Sequence, residues 1–221
     1  MTSPSVVRTS RRRTSRASLP RRARAAWRRD PEGRQQRVLT AASHLFGRHG
    51  YTAVTTAMIA EEAGVSEGTI YHYFRSKDAL ACAAAARYGR GFADAMFDGF
   101  DAKGGLPDVD AVIRRAFAYV RFSDPRFGVF LLADDAGPSL PAKRANRAEI
   151  VARLTEIFAV WREKALIRGA EPRILAELSF GLVEAGLREC YAREERSTPA
   201  DEEAYVAEVA QCIRGMLTPV S

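Results

Sequence analysis

The 221-residue chain has only three cysteines, Cys82, Cys190 and Cys212, far apart, with no CxxC spacing and no histidine nearby. An odd, scattered set of this kind reads as small buried hydrophobes, with a redox or metal role as the alternative. No apolar run approaches the roughly 18 residues that a membrane span needs, so the protein is expected to be soluble and cytoplasmic, with no membrane partner. Past residue 76 no stretch alternates polar and apolar residues as a half-buried strand does, and every segment has helical period. The expected fold class is all-α, with about nine helices. The chain also lacks any nucleophile spaced to meet a base and any cluster of metal ligands. It is read as a non-enzyme with no catalytic residue, metal or cofactor.

Acid is almost missing from the first thirty residues, where ten arginines face Asp30 alone. That stretch carries +9 of a net charge of +7, which leaves the remaining chain near −2. The pI of 9.7 therefore describes the N-terminal arm and says little about the folded body. Residues 31–80 are balanced: Arg34, Arg37, Arg48, Arg75 and Lys77 against Glu32, Glu61, Glu62, Glu67 and Asp78. Residues 1–29, nearly without apolar side chains, cannot offset their ordering entropy and are expected to be a disordered arm. One reading makes the arm an electrostatic or minor-groove contact to DNA; the other makes it an unselected extension. An Arg- and Ser-rich start also has the look of a targeting peptide, but no apolar segment follows it, which removes export.

What is present is concentrated between Thr55 and Lys77, TTAMIAEEAGVSEGTIYHYFRSK. Ile59, Ala60, Ala63 and Val65 give a short amphipathic helix, and Gly64 can take the positive φ of a sharp turn. Ser66 is placed to cap a second short helix whose Ile70, Tyr73 and Phe74 share one face. At 100° per residue Gly68, His72 and Arg75 point the other way, with Thr69 and Tyr71 on the flanks. Upstream, Val38, Ala41, Ala42, Leu45 and Phe46 form the stripe of a supporting helix that Gly47 to Gly50 ends.

Residues 34–80 resemble the DNA-binding domain of the TetR family of bacterial transcriptional regulators: a first helix ending in LFGRHGY, then TT, then IAEEAGVSEGTIYHYFRSKDAL. The resemblance implies a three-helix helix-turn-helix domain at 30–80, joined to a larger helical domain at 81–221 that binds an effector and dimerises. By the same likeness Thr56, Tyr71 and Lys77 meet the DNA backbone, Thr55 is counted among the DNA-binding residues, and Ser66, Glu67, Gly68, Thr69 and His72 face bases. Two positions depart from the pattern. Ala57 stands where some members carry a groove-reading arginine, and Glu67 brings negative charge toward DNA. Glu67 either accepts from a cytosine amino group or only favours a helix N-terminus.

The helix expected at 172–193 is apolar on two sides, Leu175, Leu178, Leu182 and Ala185 on one and Phe180, Val183, Leu187 and Tyr191 on the other. One face suffices for a surface helix, so the second wants a partner. With Val209, Ile213 and Met216 of the last helix, the resemblance implies a four-helix dimer interface. The middle helices gather aromatic residues, most of them read as core. The resemblance adds an effector pocket among them, to which Phe117, Phe127, Phe130, Leu131, Asp134, Phe158, Trp161, Phe180 and Glu184 are assigned. The expected function is a sequence-specific DNA-binding transcriptional regulator. Its partners are double-stranded DNA at a pseudo-palindromic operator, a second copy of the chain, and a small-molecule effector that releases it as a repressor. A nucleoid-type protein acting through the arginine arm is the alternative.

Overall fold

The computed structural model describes residues 30–100, 109–133, 137–191 and 198–218, and within them there are nine helices and no strand. The arginine arm and Asp134 lie outside the described residues. The helices are α1 (Pro31–Ala53), α2 (Thr56–Ala63), α3 (Glu67–Tyr73), α4 (Lys77–Phe97), α5 (Val109–Phe122), α6 (Pro125–Ala133), α7 (Leu140–Glu163), α8 (Pro172–Tyr191) and α9 (Pro199–Leu217).

Local chemistry explains most of the boundaries. Asp30 accepts from the Gly33 N–H at 2.7 Å, and Pro31 at the first helical position loses nothing by lacking an N–H. Gly50, at φ 73° and ψ 166°, breaks α1 before its last residues. Thr55, Ser66 and Ser76 then cap α2, α3 and α4, each side-chain oxygen accepting from the backbone N–H three residues on. Each such cap contributes about 1 kcal/mol, and together they fix where three consecutive helices begin. Thr198 and Asp201 form a reciprocal capping box at the start of α9.

Two boundaries are set by apolar side chains folding back. α7 ends at Glu163, four residues short of Ile167. Leu166 N–H bonds back to the Trp161 carbonyl and Ala165 N–H to that of Arg162, with Ala165 at φ 54° where glycine is usual. This closure turns Ile167 into the interior, where it is 3% exposed. α4 stops at Phe97, and Phe100 folds back until its ring lies 6.2 Å from that of Trp161. In both places burial of an apolar side chain outweighs another helical turn.

The side chains form two apolar interiors. The first joins α1, α2, α3 and the start of α4 with Phe127 and Leu131 of α6 and Ala142 of α7. The second lies among the end of α4 and α5, α7, α8 and α9. α4 serves both, through Leu80, Ala84 and Ala85 and then through Phe92, Ala93 and Met96. α6 reaches the first interior because Gly47 has no side chain: a Cβ there would stand 2.6 Å from the Phe127 backbone nitrogen. Arg87 of α4 also donates to the Gln36 side chain at 3.0 Å and to Thr40 at 3.1 Å, which ties α4 to α1. Cys190 is buried and Cys82 half-buried, but Cys212 is exposed, so the reading as small buried hydrophobes does not extend to it. No helix among the described residues is long and apolar enough to cross a membrane.

Candidate functional site

The α2–α3 turn is closed by Gly64 at φ 67°, with its N–H bonded to the Glu61 carbonyl and the Val65 N–H to that of Ala60. A left-handed residue and two backward hydrogen bonds end α2 within one residue, and α3 leaves at a fixed angle. Ile70 and Phe74 anchor α3 in the first interior. Its outer face carries Gly68 and His72, both exposed, and Tyr71, which is 53% exposed despite its size; Arg75, just past the helix end, is also exposed. A Cβ at Gly68 would meet nothing closer than Ser66 Oγ at 3.8 Å, so the helix surface there is open. Thr69 is half-buried, its hydroxyl 2.9 Å from Ser66 Oγ.

Thr56, Glu67 and Tyr71 come together at the mouth between α2 and α3. The Thr56 hydroxyl donates to Glu67 Oε2 at 2.8 Å and lies 3.4 Å from Tyr71 Oη. The carboxylate thus takes an acceptor place that a phosphate oxygen could also fill. It sits in the first turn of α3, where the helix dipole favours an anion. Thr55, exposed beside this cluster, already accepts from the Met58 N–H at 3.2 Å.

Lys77 differs from its expected place. Its ammonium donates to the carbonyls of Tyr51 at 2.9 Å and Val54 at 2.7 Å, and it lies 4.1 Å above the Tyr51 ring. These carbonyls lie at the C-terminal end of α1, where helical partners run out, and the lysine satisfies them. Tyr51 Oη donates in turn to Asp78; burial first, then this carboxylate, push the phenol up to about 12. The lysine is therefore a strut between the end of α1 and the start of α4.

Two cavities lie farther along the chain, sharing Phe180. One, about 500 Å³ including its open mouth, is lined by side chains from Met96 and Val112 to Phe158, Trp161 and Ser179. The other, about 580 Å³ on the same measure, is lined by Gly128, Leu131 and Leu132 of α6, by Tyr88, and by Lys143, Arg147 and Glu184. Arg147 and Glu184 form an ion pair, and the guanidinium stands 5.4 Å over the Phe180 ring. Burial raises the Tyr88 phenol well above its ordinary range, so it stays protonated there.

Residues 38–84 match the family model described as bacterial regulatory proteins, tetR family. Over these residues the chain resembles this family. A 47-residue stretch is 47% identical to the HTH-type transcriptional regulator HbdR of Aromatoleum sp. (strain CIB), over 21% of this chain and 20% of that protein. A 65-residue stretch is 37% identical to the HTH-type transcriptional repressor KstR2 of Rhodococcus jostii (strain RHA1), over 29% of this chain and 30% of that one. The chain thus spans less than a third of these curated relatives where it matches them. Among solved structures, FadR from Bacillus subtilis in complex with stearoyl-CoA aligns with a TM-score of 0.69 at 18% identity, over 80% of this chain and 96% of that one. At that identity the likeness is one of fold.

Among the expected DNA-facing residues two groups stand out. Thr56, Glu67 and Tyr71 are joined by hydrogen bonds, while Gly68 and His72 are free-standing on the exposed side of α3. The expected effector residues scatter. Phe158 and Trp161 line the first cavity, Leu131 and Glu184 the second, and Phe180 both. Phe127 and Phe130 belong to the first interior, and Phe117 is fully buried in the second. Asp134 lies outside the described residues. The aliphatic lining, Val112 and Leu154 among it, carried no signal because its aliphatic residues resemble any other helix face.

The expected interface set is corrected in part. Leu175, Val209 and Ile213 are buried in their own chain, and Met216 is half-buried against it. At 100° per residue the inward arc of α8 begins at Leu175, so the outward apolar stripe is Ile174, Leu178, Gly181 and Ala185, with Leu182 at its edge. Ile174 is 58% and Leu178 51% exposed, and Ala185 is exposed. Two acids of α9 face α5: Glu203 pairs with Arg114 and Glu202 with Arg121.

Proposed function

We propose that this chain is a homodimeric, sequence-specific DNA-binding transcription regulator, a repressor that a small-molecule effector releases from a pseudo-palindromic operator. Residues 30–80 are its DNA-binding domain and 81–221 its effector-binding and dimerisation domain. The observation that carries the reading is α3, pinned by Ile70 and Phe74 and capped by Ser66, with Gly68, Tyr71 and His72 on its free face. An exposed short helix held rigidly after a sharp turn is what major-groove reading needs. The repressor KstR2 among its relatives supports the sign of regulation, and the stearoyl-CoA complex of FadR supports an interior ligand.

Release works by population shift: the effector weakens DNA binding only as far as it prefers the DNA-incompetent arrangement. α6 is the element placed to transmit it. Gly128, Leu131 and Leu132 line the second cavity, while Phe127 and Leu131 are inserted among the residues of α1 and α4. The outward stripe of α8 supplies the two-fold contact, since Ile174 and Leu178 would otherwise expose apolar surface to water. Gly181, beyond whose Cα lies open space, lets a second helix come close.

Substitutions test the reading. Tyr71→Phe, which removes the hydroxyl near Thr56, should weaken operator and random DNA alike, because phosphate contacts position without reading bases. His72→Ala and Thr69→Ala should instead shift sequence preference, by roughly 1–3 kcal/mol where a base contact is lost. Equal losses on both DNAs for all three variants would refute the division. The arm gives a separate expectation. Deleting residues 1–29, with their ten arginines, should leave fold and dimer intact and flatten the dependence of log affinity on log salt. An unchanged slope makes the arm passive; a slope that carries nearly all the affinity, without preference for an operator, favours the nucleoid-type reading.

A further inference from the structure

Glu67 carries a charge that works against the surface on which it stands. It opens α3, and the first residues of such a helix are the ones that reach base edges in a major groove. Gly68 beside it leaves that end of the helix open to close approach. In the free protein the carboxylate reaches back to α2, 2.8 Å from the half-buried Thr56 hydroxyl, which Tyr71 Oη flanks at 3.4 Å. A hydroxyl has one proton to donate, so Thr56 serves either the carboxylate or a DNA phosphate at any moment. Lys77 is tied to the end of α1, which leaves the hydroxyls of Thr56 and Tyr71 as donors at this mouth. A phosphate that takes Thr56 therefore displaces Glu67 and meets its negative charge.

We propose that Glu67 makes tight binding conditional on sequence: it holds Thr56 until a cytosine in the major groove takes the carboxylate over and frees the hydroxyl for phosphate. A carboxylate only accepts hydrogen bonds, so guanine, which shows N7 and O6, and thymine, which shows O4, repel it. Adenine sets its N7 acceptor beside its amino group, whereas the cytosine N4 amino group donates without such a neighbour. On DNA that lacks this cytosine the displaced carboxylate stays unpaired against phosphate, and the complex is weakened. Both contributions are small, an exposed charged hydrogen bond and one repulsion in high dielectric, so the bias amounts to about three- to tenfold. The inference rests on the regulator reading, which supplies the DNA; the capture of Thr56 is a property of the free chain.

Fluorescence anisotropy with a short random-sequence duplex, and selection from random duplexes, test it on the full chain. Glu67 is exposed, so its variants should fold as the wild type does, which circular dichroism checks. Glu67→Ala should bind the random duplex about three- to tenfold more tightly than wild type, with Glu67→Gln, which keeps an acceptor without the charge, in between. Thr56→Val should weaken Glu67→Ala on that duplex by at least about threefold more than it weakens wild type, since only without the carboxylate is the hydroxyl free. In selection, wild type should enrich a cytosine at one position of each half-site. Glu67→Gln should enrich an adenine there, because an amide pairs with N6 and N7 together, and Glu67→Ala no base. Unchanged affinity of Glu67→Ala for the random duplex, additive effects of the two substitutions, or the same bases enriched by all three proteins would overturn the proposal. Where wild type enriches an inverted repeat, those failures leave the regulator reading intact. A wild type that enriches no sequence sinks that reading, and the cytosine with it.

Discussion

Leu178→Arg is expected to produce a folded monomer that no longer recognises its operator. Leu178 is 51% exposed in the single chain, so the substitution leaves both interiors untouched and the monomer fold should persist. An isologous interface repeats every residue, which introduces two arginines per dimer among Ile174, Gly181 and Ala185 and their copies, where nothing compensates their desolvation. One recognition helix alone then meets one half-site. Affinity for the operator should fall to that for random DNA, roughly a thousandfold or more. Sedimentation velocity and fluorescence anisotropy measure the two effects separately. A wild-type chain that is already monomeric, or a variant that remains dimeric and binds normally, would remove α8 from the interface. Leu175→Arg is a poor substitute, because that side chain is fully buried and its loss reports on folding.

Phe127→Ala should cost about 3–5 kcal/mol of stability, seen as a lower denaturant midpoint. Its ring is 1% exposed, 5.5 Å edge-on to Tyr88 and 5.8 Å from Phe130 in a stack. The Gly47 backbone lies against its nitrogen, so the cavity cannot close by moving α6 nearer to α1. Phe122→Ala is the internal control: 76% exposed, it should change stability by no more than about 0.5 kcal/mol. If α6 transmits effector binding, Phe127→Ala should also shrink the difference in operator affinity with and without effector. Equal denaturant midpoints for the two variants would mean that α6 is not held in the first interior as described.

The helix-turn-helix geometry was legible in the sequence because its signals are local. Caps at Ser66 and Ser76, a left-handed glycine at 64 and a burial period of three to four residues each act within one turn of chain. The cavities were legible only where aromatic residues marked them, as Phe158, Trp161 and Phe180 did. Their aliphatic walls arise from five helices converging across long sequence separation, which no window of sequence displays. The α8 stripe was half legible. Its amphipathy on two sides is periodic, but a shift of one residue, from Leu175 to Ile174, moves a side chain from core to solvent, and only packing fixes that phase. The strut role of Lys77 was hidden for a similar reason, since it depends on carbonyls at the end of α1, more than 20 residues upstream.

Selection from random duplexes by the full chain measures most directly whether a pair of α3 helices reads a specific, two-fold related DNA sequence. The expected result is an inverted repeat whose half-sites are centred about 34–36 Å apart or a multiple of that. It should bind at least about 10³-fold more tightly than random DNA at physiological salt, and His72→Ala should change the bases enriched. Selection that enriches no sequence, with affinity set only by duplex length and salt, would contradict the account.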